Sequence, residues 1–235
     1  MLRYAEVRVG GGAPLGCASC SPRSASAYDP SADVLARIAA VTKSWRGVPG
    51  PNVVLSGPEP FLHPELPALV AACVTGGAER VCIETDGGAL AVGGNAEGAL
   101  RSGVRQLRVR MLSAVEPAAD GLTGRPGLHR AAGDGVRAFL AAAVQRDLAV
   151  AVTVVIPVCG HNLETLPATI GALASWGIHA VRLESSGPLP DLAAVHLAAT
   201  CDTGMVNRLW VETDGLLPLP ESHRLHAVPE VSPDG

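Results

Sequence analysis

Short runs in which apolar and polar residues alternate are separated by stretches with helical spacing, and this rhythm continues from the first residues to about position 187. Tyr4 to Val9 alternates with period two, as a half-buried strand does. Asp29-Pro30 offers an N-cap and a proline at the first helical position for a helix through about Trp45. Asn52 to Ser56 reads as a short apolar strand. Pro64 opens a helix with an apolar face of Leu66, Leu69, Val70 and Cys73, which Gly76-Gly77 ends. Arg80 to Glu84 is a third strand, Glu97 to Gly103 a short helix, and Gln106 to Leu112 a fourth strand. Gly135 to Arg146 repeats the helical pattern, and Leu148 to Ile156, rich in β-branched residues, is the clearest strand. Asn162 is placed to cap a helix reaching Trp176, and Ala180 to Glu184 makes a sixth strand. Beyond Pro188 the pattern loosens into a helical stretch near Asp191 to Ala199, a strand-like Arg208 to Glu212 and a proline-rich tail.

Strands alternating with helices predict an α/β fold with a parallel sheet. At 235 residues the chain suits one domain. No linker, repeat or charge run divides it before residue 187, so residues 1–187 read as the core and 188–235 as an extension packed on that core.

Composition sharpens this picture. Hydrophobic residues make up 48% of the chain but aromatic residues only 3%, so the core is built from small and branched side chains. A net charge of −4 leaves no basic footprint for nucleic acid or for an anionic membrane surface. No basic segment followed by an apolar one opens the sequence, and no apolar run is long enough to cross a bilayer. The expectation is a soluble, cytoplasmic protein. Six cysteines are too sparse for a disulfide-stapled scaffold, and only Cys17 and Cys20 are close together.

In parallel α/β folds, ligands gather at the carboxyl ends of the strands, where several loops converge. After the first strand comes Gly-Gly-Gly-Ala13-Pro-Leu-Gly-Cys17-Ala-Ser-Cys20. After the second comes Gly57-Pro58-Glu59-Pro60, and after the third Thr85-Asp86-Gly87-Gly88. Further on stand Asp120-Gly-Leu-Thr-Gly-Arg-Pro-Gly127 and Val154-Val-Ile-Pro157 followed by Asn162. In this order and at these spacings, each after a strand, the motifs resemble the CxxxCxxC loop, the GGEP-type motif and the TNG-type turn of radical S-adenosylmethionine (SAM) enzymes. The similarity covers roughly residues 4–187.

That resemblance implies a partial (β/α)6 barrel. It implies a [4Fe–4S] cluster held by thiolates that include Cys17 and Cys20. It also implies a SAM site in which Gly57, Pro58, Glu59 and Pro60 hold the ammonium, Thr85 and Asp86 line the mouth, and Ile156 touches the adenine. One departure is conspicuous. Ala13 stands where the first cysteine of the cluster loop belongs, and a methyl group binds no metal; Gly16 and Ser19 depart from the pattern as well.

Two readings follow from the resemblance. The first is a radical SAM enzyme with an incomplete iron–sulfur loop, acting on a peptide or small-molecule substrate. The second is a degenerate, non-catalytic relative that serves as a binding or scaffold subunit beside an intact radical SAM partner. An unrelated (β/α) barrel enzyme is the third alternative. On the residues alone, Cys17 and Cys20 also read as plain reduced thiols and Glu59 as a solvated loop carboxylate. Cys73 and Cys82 read as core residues, and His63 as a residue leading into the helix at Pro64. Cys82, Cys159 and His161 carry groups able to replace the missing ligand, but the sequence does not place them near it.

Overall fold

The computed structural model describes residues 4–11, 27–44, 51–178, 180–185 and 193–213. In chain order the elements begin with β1 (Tyr4–Arg8), the two-residue partners β2 (Gly10–Gly11) and β3 (Ala27–Tyr28), α1 (Ser31–Lys43) and β4 (Asn52–Ser56). They continue with α2 (Leu66–Thr75), β5 (Arg80–Thr85), α3 (Asn95–Ser102), β6 (Val104–Arg110), α4 (Glu116–Thr123) and α5 (Leu128–Gln145). The last are β7 (Ala151–Val158), α6 (Leu166–Ala174), β8 (Ala180–Ser185), α7 (Ala193–Val206) and β9 (Trp210–Thr213).

β1, β4, β5, β6, β7, β8 and β9 form one sheet in that order, and every neighbouring pair is parallel. The strand order never reverses. Successive crossovers of one hand therefore place the helices on one side of the sheet, which is the arrangement of a barrel and not of a doubly wound sheet. The barrel is open, with β1 and β9 at its two ends. The strand-like stretch near residue 210 adds a seventh parallel strand to the six expected.

The sheet has two unlike faces. Val53 and Leu55 on β4, Val81 and Ile83 on β5, Leu107 and Val109 on β6, Val154 and Ile156 on β7, and Val181 and Leu183 on β8 all belong to one buried cluster. That cluster also holds Val34 and Ile38 of α1, Leu69 and Val70 of α2, Phe139 of α5, Ile170 and Leu173 of α6 and Leu197 of α7. Because side chains alternate along a strand, the residues between them point to the inner face. These are mostly polar: Glu6 and Arg8, Ser56, Glu84, Arg108 and Arg110, Thr153, Arg182 and Glu184, and Glu212. Val54, Cys82 and Val155 are the buried apolar side chains on that side.

Several local expectations are corrected. Asp29 does not cap α1; its carboxylate accepts from Arg37 Nη2 at 2.6 Å, and Pro30 precedes the helix with no side-chain cap. α5 starts at Leu128, not Gly135, and runs through Gly133 and Gly135. Those glycines serve packing. A Cβ on Gly135 would lie 2.3 Å from the Gly87 carbonyl oxygen, and one on Gly133 would lie 2.9 Å from the Trp176 ring. α5 can therefore press against the turn that follows β5. α4 occupies part of the stretch between the fourth strand and the next helix, where no element was expected, with Pro117 in its first turn and Gly124 in the left-handed conformation at its end.

Candidate functional site at the carboxyl rim

Because all seven strands run the same way, the loops after β1, β4, β5, β6 and β7 open on one rim. The Gly57–Pro60 loop and the Thr85–Asp86 turn meet there, tied by the Glu59 carboxylate. Thr85 Oγ1 lies 2.7 and 2.8 Å from its two oxygens, the Asp86 amide donates to Oε2 at 2.8 Å, and the Phe61 amide donates to Oε1 at 3.1 Å. Glu59 is only 9% exposed, which rules out the solvated-loop reading. Burial pushes its carboxyl up to about 8, the neighbouring Asp86 adds to the rise, and the donors from Asp86, Thr85 and Phe61 oppose it. With three donors converging on it, the carboxylate acts as a strut between two loops.

The turn continues the chain of contacts. Thr85 Oγ1 accepts from the Gly87 amide at 2.9 Å, and Asp86 Oδ1 accepts from the Gly88 amide at 2.9 Å. Asp86 Oδ2 pairs with Arg125 Nη1 at 2.7 Å, and the Asp86 side chain is 4% exposed. Arg125 belongs to the Asp120–Gly127 stretch, so the loops after β4, β5 and β6 are joined through Glu59, Asp86 and Arg125.

The loop after β1 is anchored to the same place. Gly10 and Gly11 pair antiparallel with Tyr28 and Ala27, so the two ends of the segment carrying Cys17 and Cys20 lie side by side. Cys17, Cys20 and Ala13 themselves lie outside the described residues. Gly57, at φ 128°, comes so close that a Cβ there would sit 3.1 Å from the Gly10 carbonyl oxygen. A Cβ on Gly10 would in turn meet the Ala27 carbonyl at 2.1 Å. These contacts require glycine. Tyr28 then donates its hydroxyl to the Glu59 carbonyl at 2.8 Å and meets His63 edge-on, with ring centroids 5.4 Å apart. His63 is buried and accepts from the Glu65 amide through Nδ1, just ahead of α2.

The remaining candidates are placed elsewhere. Ile156 is fully buried in the helix-side cluster with Val154 and Leu183. Its strand lies two positions, roughly 10 Å, along the sheet from β5. Its side chain supports the sheet from behind and does not face the rim. Cys73 and Cys82 are buried, and burial raises both thiols to about 12. Asn162, expected as a helix cap, is instead a buried clamp. Its Nδ2 donates to the carbonyls of Leu112 and Pro157 at 3.0 and 2.9 Å, and its Oδ1 accepts from the Cys159 amide at 2.9 Å. It joins the ends of β6 and β7 as Glu59 joins the loops after β4 and β5. A groove of about 420 Å³ lies on the helical side, between residues 61–67 and α3.

Sequence reasoning missed the inner face. Arg110 Nη1 donates to Glu184 Oε2 at 3.2 Å and lies 3.7 Å from Glu84 Oε2, while Arg182 Nε donates to Glu212 Oε2 at 3.0 Å. The signal was available in Arg-Val-Arg on β6 and Val-Arg-Leu-Glu on β8, where charge falls on every second residue.

No protein-family model matches the chain, and a sequence search of curated proteins finds no match. Solved structures do match. SuiB of Streptococcus suis bound to S-adenosylmethionine superposes with a TM-score of 0.65 at 13% identity, over 92% of this chain and 51% of SuiB. The chain has the partial-barrel fold of radical SAM enzymes. Methylornithine synthase (PylB) matches with a TM-score of 0.58 at 14% identity, over 99% of this chain and 76% of PylB. The enzyme anSMEcpe, with bound AdoMet and a peptide, matches with a TM-score of 0.63 at 11% identity, over 90% of this chain and 64% of its own. SuiB has also been solved with its precursor peptide SuiA. This chain spans about half the length of SuiB. Among the described residues no helix is long and apolar enough to cross a membrane, and no group of three or more His, Cys, Asp or Glu could hold a metal ion.

Proposed function

We propose that the chain is a radical-SAM-type domain that binds SAM at the rim formed by β1, β4 and β5 and works on a peptide, with residues 1–187 as its core. The observation that supports this most is the anchoring of both ends of the Cys17–Cys20 segment against Gly57 and Glu59. It sets the two ends of the first loop beside the other two loops of the radical SAM resemblance.

The residues present fit SAM. Gly57 and Pro58 are buried, and among the described residues their carbonyl oxygens accept no hydrogen bond, whereas the Glu59 carbonyl is taken by Tyr28. Two carbonyl acceptors without a partner, on neighbouring buried residues, suit an ammonium group. The role that the resemblance gives to the whole Gly57–Pro60 motif thus divides. The Gly57 and Pro58 carbonyls would hold the ligand, and the Glu59 carboxylate holds the loop. Thr85 and Asp86 frame the mouth through their bonds to Glu59. When bound, SAM supplies a sulfonium centre with bonds that are open to cleavage.

The residues do not supply a complete cluster site. Cys17 and Cys20 offer two thiolates and Ala13 offers none, so no step is routed through a [4Fe–4S] cluster. That favours the second of the two readings: a SAM-binding relative that no longer cleaves SAM, working beside an intact enzyme on a shared peptide. SuiB and anSMEcpe, each solved with a peptide, support a peptide as the substrate class. Titration calorimetry with SAM tests the proposal, before and after anaerobic treatment with iron and sulfide. Binding is expected in the untreated protein, because backbone groups make the pocket. Absence of binding under both conditions would overturn it.

A further inference from the structure

Arg110 is the last residue of β6 and projects from the inner face, on the alternation that buries Val109 among the helices. Two carboxylates hold it through a single nitrogen. Nη1 lies 3.2 Å from Glu184 Oε2 on β8 and 3.7 Å from Glu84 Oε2 on β5. Among the described residues it makes no other polar contact. Nε and Nη2 are not among the enclosed, unpartnered polar atoms, and the side chain is 21% exposed. One nitrogen of the guanidinium is therefore held, and among the described residues the edge formed by Nε and Nη2 is open to a further partner. Its register partner on β7, Val155, is apolar and buried beside it.

The chemistry of that open edge selects a ligand. Nε–H and Nη2–H form a planar pair of donors matched to the two oxygens of a carboxylate. An incoming ammonium would need acceptors, and the oxygens nearest to it already face Arg110. Arg108, opposite Glu84 in the β5–β6 register, adds a second positive charge.

We propose that Arg110 is a specificity-determining residue that receives a carboxylate of the peptide substrate in a two-point contact, with Glu84 and Glu184 holding its guanidinium in place. The inference rests on the proposed function, in which the domain works on a peptide. The carboxylate can come from an acidic side chain or from a peptide C-terminus, and the experiment separates the two.

The protein is titrated into four fluorescein-labelled five-residue peptides, and binding is read by anisotropy. Three are amidated and carry a central glutamate, glutamine or lysine among alanines; the fourth carries the central glutamine and a free C-terminal carboxylate. At least one carboxylate peptide should bind about tenfold or more tighter than the amidated glutamine peptide, and the lysine peptide should bind weakest. Preference for the glutamate peptide identifies a side-chain carboxylate, and preference for the free-acid peptide a terminal one. Arg110→Gln should abolish the discrimination. Arg110→Lys, which keeps the charge but not the paired donors, should lose most of it. Because Arg110→Gln leaves two carboxylates facing each other, its thermal melt is recorded beside that of the double variant Arg110→Gln/Glu184→Gln, which relieves the repulsion and should also fail to discriminate.

Equal binding of all four peptides, a preference for lysine, no peptide binding, or discrimination that survives in folded Arg110 variants would each overturn the inference. SAM calorimetry on the same sample keeps the two ideas apart. SAM binding without peptide discrimination would leave the proposed function standing and remove the role of Arg110. Discrimination without SAM binding would do the reverse.

Discussion

The two faces of the sheet are built from the same strands by opposite rules. Toward the helices, most of the alternating residues are Val, Leu or Ile at close to zero exposure, and one cluster runs from Val7 on β1 to Val211 on β9. On the inner face the intervening residues are mostly polar, and its Arg and Glu side chains are paired across strands and partly open. Parallel sheets usually have both faces covered by apolar contacts, so this asymmetry separates two tasks. The helix side carries stability. The inner face and its rim are free to be polar because the other side already holds the sheet together.

The largest effect should come from the helix side. Phe139, fully buried on α5, is among the largest enclosed side chains. Phe139→Ala should cost about 3–5 kcal/mol in urea unfolding. On the inner face, Glu212→Gln alters a pair that is about one-third exposed at each partner; it should change stability by about 1 kcal/mol or less. Similar losses at the two positions would break the comparison.

The rim belongs to neither class. It is polar like the inner face but buried like the core. Glu59→Ala would leave the Thr85 hydroxyl and the Asp86 and Phe61 amides without their acceptor. Each buried donor left unpaired costs about 1–3 kcal/mol. A total near 3 kcal/mol is expected, together with loss of SAM binding, because the Gly57–Pro58 carbonyls would no longer be held in place. A loss below about 1 kcal/mol would show that water replaces the carboxylate and that the rim is not enclosed.

This division also explains what could be read in the sequence. The six expected strands all form, because each carries period-two apolar residues that a helix-side core demands. The convergence of Glu59 with Thr85 was legible from their positions just after successive strands. The strut role of Glu59 was not, because it depends on the 2.8 Å approach of an amide 27 residues away. Asp29 and Asn162 have the chemistry of helix caps, but Arg37 and the Leu112 and Pro157 carbonyls compete for their side chains and win. Gly133 and Gly135 look like helix breakers until their neighbours, Trp176 and Gly87, are in place. Ile156 matched the radical SAM pattern by position along the chain, but strand alternation turns it to the helix side.

A smaller effect separates rim from core by its pH dependence. Glu59 has an ordinary value of 4.5 and is raised to about 8 by burial and by Asp86. Below about 4.5 the carboxyl is protonated in both native and unfolded chains, and its contribution to stability is complete. As pH rises from there toward 8, the unfolded chain gives up the proton first, so that contribution is lost. Stability should fall across this window by up to about 1.4 kcal/mol per pH unit. Glu59→Gln should flatten the slope without abolishing it, because Glu84 is also raised by burial and acts in the same direction. Phe139→Ala should lower stability at every pH and leave the slope as it was. Urea melts at pH 5, 6, 7 and 8 check this, and an unchanged slope in Glu59→Gln would assign the titration elsewhere.

The smallest expected change in stability is at Ala13, where a change should tell most about chemistry. Ala13→Cys adds one sulfur atom in a glycine-rich stretch of the sequence, so unfolding should shift by about 0.5 kcal/mol or less. Metal occupancy should respond far more. A [4Fe–4S] cluster is retained by thiolates, and binding tracks the number of ligands that can deprotonate onto it. The unmodified chain, with Cys17 and Cys20 alone in this loop, should hold well under one cluster after anaerobic reconstitution, and Ala13→Cys should raise that occupancy. Iron and sulfide assays give the stoichiometry, and electron paramagnetic resonance of the reduced sample with and without SAM shows whether SAM reaches the iron. Gly16 and Ser19 also depart from the family pattern, so occupancy can rise without SAM cleavage following. A full, SAM-responsive cluster in the unmodified chain would mean that a third ligand comes from outside this loop, and the non-catalytic reading would then fall.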